Sequence, residues 1–169
     1  MAKRPTHRWS RPAGWWDERV ADKNAPMPAG YSGTPLARKL GVKAGHKVSL
    51  LHAPETWTIP ELEPGVRIRG DLRGHPDVIV AFVRTETELR KWCPRLVEAL
   101  TAEGSLWLVW PRKAGGHVSD VTEQSLRDEL LPTGLVDTKV AALDDDWSGL
   151  RFVWRRDHRP SIARRPAKR

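Results

Sequence analysis

The sequence has one cysteine and no long apolar run, and each shortage excludes a class of protein. Cys93 has no second cysteine to pair with, which excludes a disulfide framework and a metal cluster built on thiolates. No apolar stretch reaches the roughly 18 residues that a membrane-spanning helix requires. The opening residues, Met-Ala-Lys-Arg-Pro, lack the apolar segment of a signal peptide. We therefore expect a cytoplasmic protein without a membrane partner, in which Cys93 is a buried, inert thiol.

A glycine-rich turn is also missing, at the place where a nucleotide-binding α/β domain would carry one. The strand predicted at residues 47–51 is followed by His52-Ala53-Pro54-Glu55. In nucleotide-binding domains, glycines at this point let the backbone approach the ligand, and the N-terminus of the next helix faces it. The sequence therefore predicts no resident cofactor and no catalytic residue, and it favours a protein that is not an enzyme.

The clearest pattern that is present lies between residues 77 and 110. Residues 77–83 are almost continuously β-branched or aromatic, which is typical of a parallel strand buried on both faces. Thr85 is a candidate N-cap, and Gly104 precedes a second apolar strand at residues 105–110. Between them, apolar side chains recur at helical spacing: Leu89, Trp92, Leu96 and Leu100. This is a βαβ unit, and it predicts an α/β fold.

Shorter elements precede this unit. Thr34 and Pro35 can begin a helix that Gly41 ends, and the strand at residues 47–51 follows. Prolines crowd the next segment, where at most a two-turn helix fits at residues 55–62 before a short strand at residues 66–69. Asp71 follows that strand, where a related domain can place an acid for ribose hydroxyls; an Asp there more often serves turn chemistry.

The chain after residue 110 predicts one helix and one hairpin. Residues 122–131 have helical spacing of apolar side chains, and Pro132-Thr133-Gly134 ends them. Residues 135–143 and 150–154 are two strands on either side of a turn rich in Asp and Gly. We therefore expect the sheet to end in an antiparallel hairpin.

The net charge of +8 is concentrated at the two ends of the chain. Residues 1–30 carry six basic and three acidic groups, and residues 151–169 carry eight basic and one acidic group. The 120 residues between them carry 15 basic and 17 acidic groups, so the body of the protein is slightly acidic. Cationic ends of this kind can be solvated tails, or they can contact nucleic acid weakly or an acidic protein.

These charges define three segments. Residues 1–30 are a basic arm that contains Trp9, Trp15 and Trp16, residues 31–156 are a single α/β domain, and residues 157–169 are a basic tail expected to be disordered. Arginines lie between the tryptophans of the arm. The arm can therefore dock on its own domain, bind a partner protein or stack on nucleic acid.

Ligands of open α/β sheets bind outside the carboxyl ends of the strands, which here are residues 52–57, 84–86 and 111–117. The last segment places Arg112 and Lys113 before two glycines, which combines positive charge with backbone N–H groups that can meet a phosphate or a carboxylate. An ordinary solvated turn has the same composition. The candidate anion or ligand site comprises these residues: His52, Glu55, Arg84, Arg112, Lys113, Gly115 and Gly116.

The other polar groups favour neither catalysis nor a metal. His52 and Glu55 can form a base and its orienting acid, but Pro54 lies between them and no nucleophile accompanies them. The run of aspartates at residues 144–146 lacks the alternating ligands of a calcium loop. Three histidines show no metal-ligand spacing with one another: His46, His75 and His117.

The chain shows two resemblances to known families. Residues 36–48 and the terminal hairpin resemble class I methyltransferase-like domains, which implies a Rossmann-like, mostly parallel sheet, trimmed on the side that would hold adenosine. Residues 31–156 are also similar to a family of short actinobacterial α/β proteins, a domain of unknown function. The matching sequence segments are Tyr31-Ser-Gly-Thr-Pro-Leu-Ala-Arg-Lys-Leu40, Leu51-His-Ala-Pro54, Trp110-Pro-Arg-Lys113, Pro132-Thr-Gly-Leu-Val-Asp-Thr-Lys-Val140 and Trp147-Ser-Gly-Leu-Arg151. The second resemblance implies a bacterial cytosol and no particular activity.

Three functions remain. The sequence favours a non-catalytic Rossmann-like module that binds a protein partner or an anionic ligand and serves regulation. A divergent S-adenosylmethionine-dependent methyltransferase is the first alternative, and it would have to hold its cofactor at residues 52–57 without glycines. A nucleic-acid-associated protein that binds through its basic ends is the second.

Overall fold

Six strands lie side by side in one sheet, with helices against both faces. The computed structural model describes residues 33–165, so the tryptophan-bearing arm at residues 1–30 and residues 166–169 lie outside the described residues. The elements in chain order are α1 (Leu36–Leu40), β1 (Lys47–Leu51), β2 (Arg67–Arg69), β3 (Val78–Phe82), α2 (Glu86–Ala99), β4 (Ser105–Pro111), α3 (Glu123–Leu130), β5 (Leu135–Ala142), β6 (Trp147–Trp154) and α4 (Arg159–Ala163). Short 3₁₀ turns lie at Lys113–Gly115 and Leu131–Thr133.

The strand order is β2-β1-β3-β4-β6-β5. The first four strands in this order are parallel, while β6 runs antiparallel to both β4 and β5. This confirms the mostly parallel sheet with a C-terminal antiparallel hairpin. The chain leaves β1 towards β2 on one side and returns to β3 on the other. The point where the strand order reverses is therefore between β1 and β3, where open α/β sheets bind their ligands.

One face of the sheet is covered by α2, α3 and α4. The helix α2 begins as expected, because the side chain of Thr85 accepts a hydrogen bond from the amide of Glu88. Its apolar side buries Leu89, Cys93 and Leu96 against the sheet. This face has the helical layer that a parallel sheet requires.

Within residues 33–165, the opposite face has far less covering. It is packed by the five-residue helix α1 and by the side chains of Trp57 and Ile59. Trp107 of β4 lies beneath α1, and its indole N–H donates to the carbonyl of Leu40 over 3.0 Å. Gly149 of β6 makes room for this ring, since a Cβ there would lie 2.9 Å from Trp107 Cε3. The trimming expected on the adenosine side lies at the β2 edge instead, where β2 is followed directly by β3 with no helix or further strand between them.

The segment between β1 and β2 differs from the expectation of a short helix. Residues 55–62 have one turn at residues 55–56 and are otherwise irregular, and two of their side chains, Trp57 and Ile59, pack onto the sheet. The indole of Trp57 also donates to Asp144 Oδ2 over 2.9 Å. Burial of these two side chains and this long-range bond outweigh the helical tendency of a proline-flanked segment. Thr34 likewise makes no capping bond, and Pro35 occupies the N-cap of α1.

The chain beyond residue 156 also differs from the expectation of disorder. Arg159–Ala163 form α4, and Ile162 is 7% exposed within the core under α2 and α3. The guanidinium of Arg159 donates to the carbonyl of Trp154 over 3.2 Å and contacts Glu103. A tail rich in arginine is therefore ordered over this stretch, because one isoleucine reaches the core and one arginine finds acceptors.

The hairpin turn is tighter than its composition suggests. Asp144 Oδ1 accepts from the amides of Asp146 and Trp147, both over 2.8 Å, so β6 begins at Trp147 rather than at Leu150. None of the helices within residues 33–165 has the length and apolar character needed to cross a membrane.

Truncating Ile162 tests whether α4 belongs to the core. Ile162→Ala removes buried methyl groups and should lower the free energy of unfolding by about 2–4 kcal/mol, measured by urea denaturation. Ala163→Ser, at the exposed end of the same helix, is the control and should change it by less than about 0.5 kcal/mol. Equal stabilities for the two variants would contradict the packing of α4.

The single thiol provides a second test. Burial raises the pKa of Cys93 from 9.0 to about 12, and Glu129 adds to the rise. Because the unfolded thiol ionises at the lower value, this group should reduce stability as the pH rises from about 9 to 12. Iodoacetamide at pH 8 should therefore leave the native protein unlabelled and label Cys93 fully in urea. Rapid labelling of the native protein would show that the thiol is accessible.

Candidate functional site

A cleft of about 400 Å³ opens at the carboxyl ends of β1 and β2. Two apolar side chains, Leu50 and Ile68, line it from the sheet, and Gly70 lines it just after β2. His52 and Glu55, two of the residues predicted for a ligand site, lie in its wall. Glu55 is the only acid among the described residues that line the cleft.

The backbone of His52 makes the turn that a glycine would normally make. Its φ is 56°, in the left-handed region, which costs a residue with a Cβ about 1–2 kcal/mol. The imidazole packs against Trp92 of α2 with ring centroids 4.4 Å apart. The sequence lacks the glycine of a cofactor loop, yet the chain bends sharply there, and a tilted ring contact accompanies the strained backbone.

Arg84 connects this turn to the hairpin. It follows β3, and its guanidinium donates to the carbonyl of His52 over 3.2 Å while lying 5.3 Å from the centre of the Trp147 ring. Its own carbonyl accepts from the hydroxyl of Ser119, and its amide donates to Glu88. The structure thus brings His52 and Arg84 together at the point where the strand order reverses.

The remaining predicted residues, Arg112, Lys113, Gly115 and Gly116, form a separate turn after β4. The guanidinium of Arg112 donates to the carbonyl of Asp144 over 2.9 Å. The amide of Gly115 donates to Arg112, and that of Gly116 donates to Lys113. These N–H groups therefore have acceptors within the turn, whereas the sequence suggested that backbone N–H groups here could meet a phosphate or a carboxylate.

Close packing holds this turn against the hairpin. A Cβ at Gly115 would lie 3.0 Å from the carbonyl oxygen of Asp145. The ring of His117 is 2.9 Å from Asp146 Oδ1, which adds a polar contact between the same two loops. The ends of β4 and of the hairpin are consequently bonded to each other, and this turn lies apart from the cleft beside His52.

Asp71, the candidate for ribose hydroxyls, is engaged in a turn. Its Oδ1 accepts from the amide of Arg73 over 2.9 Å, and its carbonyl accepts from the hydroxyl of Ser49 over 2.6 Å. The interpretation of Asp71 as a turn residue is confirmed. Within residues 33–165, no group of three or more His, Cys, Asp or Glu side chains is arranged to hold a metal ion.

Three tryptophans near the cleft have roles that the sequence did not indicate. Trp92 has the spacing of a helix core residue but lies half-buried against His52. Trp57 and Trp147 both pack on Phe82, each with ring centroids 4.8 Å away, so an aromatic row crosses the sheet beneath the cleft. A sequence motif could not reveal this row, because its members come from three separate segments.

Comparison with solved structures identifies similar folds. Fibrillarin from Aeropyrum pernix, solved with bound S-adenosyl-L-methionine, is 16% identical, with a TM-score of 0.50 over 73% of this chain and 70% of that chain. Ribosomal protein L11 methylase from Lactobacillus delbrueckii subsp. bulgaricus is 13% identical, with a TM-score of 0.46 over 70% of this chain and 74% of that chain. Fibrillarin from Methanococcus jannaschii is 14% identical, with a TM-score of 0.44 over 73% and 70%.

No protein-family model matches the chain, and a search of curated proteins finds no match. The resemblance to an actinobacterial family therefore stays a prediction. At the identities above, the structural similarity concerns the fold alone. The described residues have the methyltransferase-like Rossmann fold, with the connections around β2 shortened.

Proposed function

We propose that this protein is a divergent relative of S-adenosylmethionine-dependent methyltransferases that binds an adenosyl ligand of that class beside His52. The observation that carries the proposal is the cleft at the carboxyl ends of β1 and β2, next to the strand-order reversal. This is where open α/β sheets hold their ligands. The similar fibrillarin structure contains S-adenosyl-L-methionine, which supports the choice of ligand class.

The residues of the cleft fit such a ligand in three respects. Its volume of about 400 Å³ suits a small molecule, since ligand sites typically have roughly 300–1,000 Å³. Leu50 and Ile68 offer apolar surface to an adenine ring. Glu55 offers a carboxylate to ribose hydroxyls or to an ammonium group, and the left-handed backbone at His52 replaces the glycine turn.

The residues of the cleft suit binding of the ligand, and we assign none of them a catalytic role. When bound, S-adenosylmethionine supplies an electrophilic methyl carbon; the residues of this chain would hold and orient the ligand. The guanidinium of Arg84 is directed to the carbonyl of His52 and to Trp147, so it stabilises the turn that forms the wall of the cleft. We assign it a positioning role.

A non-catalytic binding module is the second candidate. The bonds among Arg84, Arg112 and the hairpin favour it, because these polar groups contact one another rather than converge on a common reaction centre. In this case the cleft would bind its ligand to regulate association with a protein partner. Binding of nucleic acid through the basic ends stays a prediction, since residues 1–30 lie outside the described residues.

Calorimetric titration of the full-length protein tests the first proposal. S-adenosylmethionine or S-adenosylhomocysteine should bind with one site per chain, and Glu55→Gln should weaken binding about tenfold or more through loss of a charged hydrogen-bond acceptor. Glu63→Gln, an exposed acid of the same connection, is the matched control and should leave the Kd unchanged. Absence of heat and of a thermal shift at millimolar ligand would rule out the proposal.

Methyl transfer distinguishes the two candidates. Protein that binds the cofactor is incubated with a methyl-labelled donor and bacterial RNA and protein fractions. Label in a macromolecule, lost in Glu55→Gln, would support an enzyme. Binding without transfer to either fraction would support the non-catalytic module.

A further inference from the structure

Four cationic side chains converge on a second groove at the β2 edge of the sheet, which shares Arg69 with the cleft described above. The groove has a volume of about 250 Å³ and is lined by Lys47, Arg67, Arg69 and Arg73, together with Gly74 and Pro76. No acidic side chain is among the described residues that line it. The body of the protein has a slight excess of acidic groups, so this local excess of positive charge is a distinct feature.

The parallel pairing of β1 and β2 brings three of these cations together. Lys47 pairs with Arg67, and Ser49 pairs with Arg69, so the side chains of both pairs lie on one face of the two strands. Arg67 and Arg69 are two residues apart on β2, which separates their Cα atoms by about 6.6 Å. Lys47 and Arg67 lie far apart along the chain, so the convergence depends on strand pairing.

Arg73 completes the groove from a loop that folds back over the same face. The carbonyl of Asp71 accepts from Ser49, the carboxylate of Asp71 accepts from the amide of Arg73, and Lys47 Nζ donates to the carbonyl of Gly74 over 3.1 Å. Gly74 has a φ of 79°, which lets the loop turn sharply there. These bonds fix the wall in advance, which lowers the entropy that a ligand must overcome.

The arginines of the groove are not neutralised within residues 33–165. The guanidinium groups of Arg67, Arg69 and Arg73 make no hydrogen bond or ion pair there, whereas those of Arg90 and Arg127 each contact two carboxylates. Two acids belong to the same loop, but their carboxylates accept from backbone amides: Asp71 from Arg73, and Asp77 from Lys47.

We propose that this groove binds a polyphosphate group, either as free polyphosphate or as the phosphates of a nucleotide. Guanidinium groups bind phosphate oxygens in paired, planar geometry, and four cations match the charge of a di- or triphosphate. No aromatic side chain is among the described residues that line the groove, so it offers phosphate contacts without a surface on which a base could stack.

This site does not depend on the proposed adenosyl ligand. The side chains of Lys47 and Ser49 face the layer of α2, while Leu50 and Ile68, which line the cleft, point to the other face. Arg69 lines both spaces, so the decisive variants use Arg67 and Arg73.

The test compares two double variants of the full-length protein by calorimetric titration with tripolyphosphate. Arg67→Gln with Arg73→Gln removes two cations of the groove and should weaken binding at least about tenfold. Arg38→Gln with Arg95→Gln removes two exposed arginines of the helices and should change the Kd by less than about twofold. Thermal unfolding of both variants verifies that each is folded.

Further ligands decide the source of the phosphate. Tighter binding of ATP than of tripolyphosphate would identify a nucleotide, and equal binding would identify the phosphate chain alone.

Three results would overturn the proposal. Equally strong binding of tripolyphosphate by both double variants would place it on the basic ends. Tighter binding of a single-stranded oligonucleotide than of either ligand, with the same loss in the groove variant, would indicate a nucleic-acid interface. Absence of binding by any of these ligands at millimolar concentration would leave the arginines only as charges on a sheet edge.

Discussion

The hydrogen bond from the Trp107 indole to the carbonyl of Leu40 supports the thinly covered face of this sheet. A parallel sheet needs both faces covered, and among residues 33–165 one face is covered only by a five-residue helix and by side chains of a connecting segment. Trp107 is fully buried, so its N–H requires an acceptor, and the last carbonyls of a helix require donors. One bond satisfies both groups and holds α1 on the centre of the sheet.

The cleft also owes its shape to side chains that cover this face of the sheet in place of a helix. Trp57 replaces a helix between β1 and β2, and it reaches the hairpin through Phe82 and through its bond to Asp144. Trp147 also packs on Phe82 and lies under Arg84, which contacts His52. The wall of the cleft is thus connected by side chains to a hairpin that is distant in sequence. A change in the position of the hairpin turn would therefore alter the contacts that Arg84 makes with Trp147 and His52.

Elements governed by local pattern could be predicted from the sequence. The strands at Lys47–Leu51 and Val78–Phe82 are apolar runs with clear limits, and Thr85 caps α2 as its spacing suggests. Elements governed by distant contacts could not be predicted in this way. The conformation of residues 55–62 depends on the contacts of Trp57, and α4 forms because Ile162 reaches the core.

The same distinction applies to the sites. A charge count along the chain treats residues 31–150 as nearly balanced and cannot show that Lys47 pairs with Arg67. The cleft was partly foreseen, since His52 and Glu55 follow a strand, whereas the bonds of the Arg112 turn to the hairpin depend on a register that only the folded sheet defines.

The two edges of the sheet share a property that affects how copies of this protein meet. At one edge, β2 is three residues long and carries Arg67 and Arg69; at the other, β5 carries Lys139 beside a register shift after Asp137. Short length, positive charge and an irregular ladder all hinder strand pairing between molecules. Both edges therefore hinder the addition of a strand from a second copy. At the β2 edge the hindrance is partly electrostatic, so polyanions or high salt would weaken it, whereas at the β5 edge it comes from the irregular ladder.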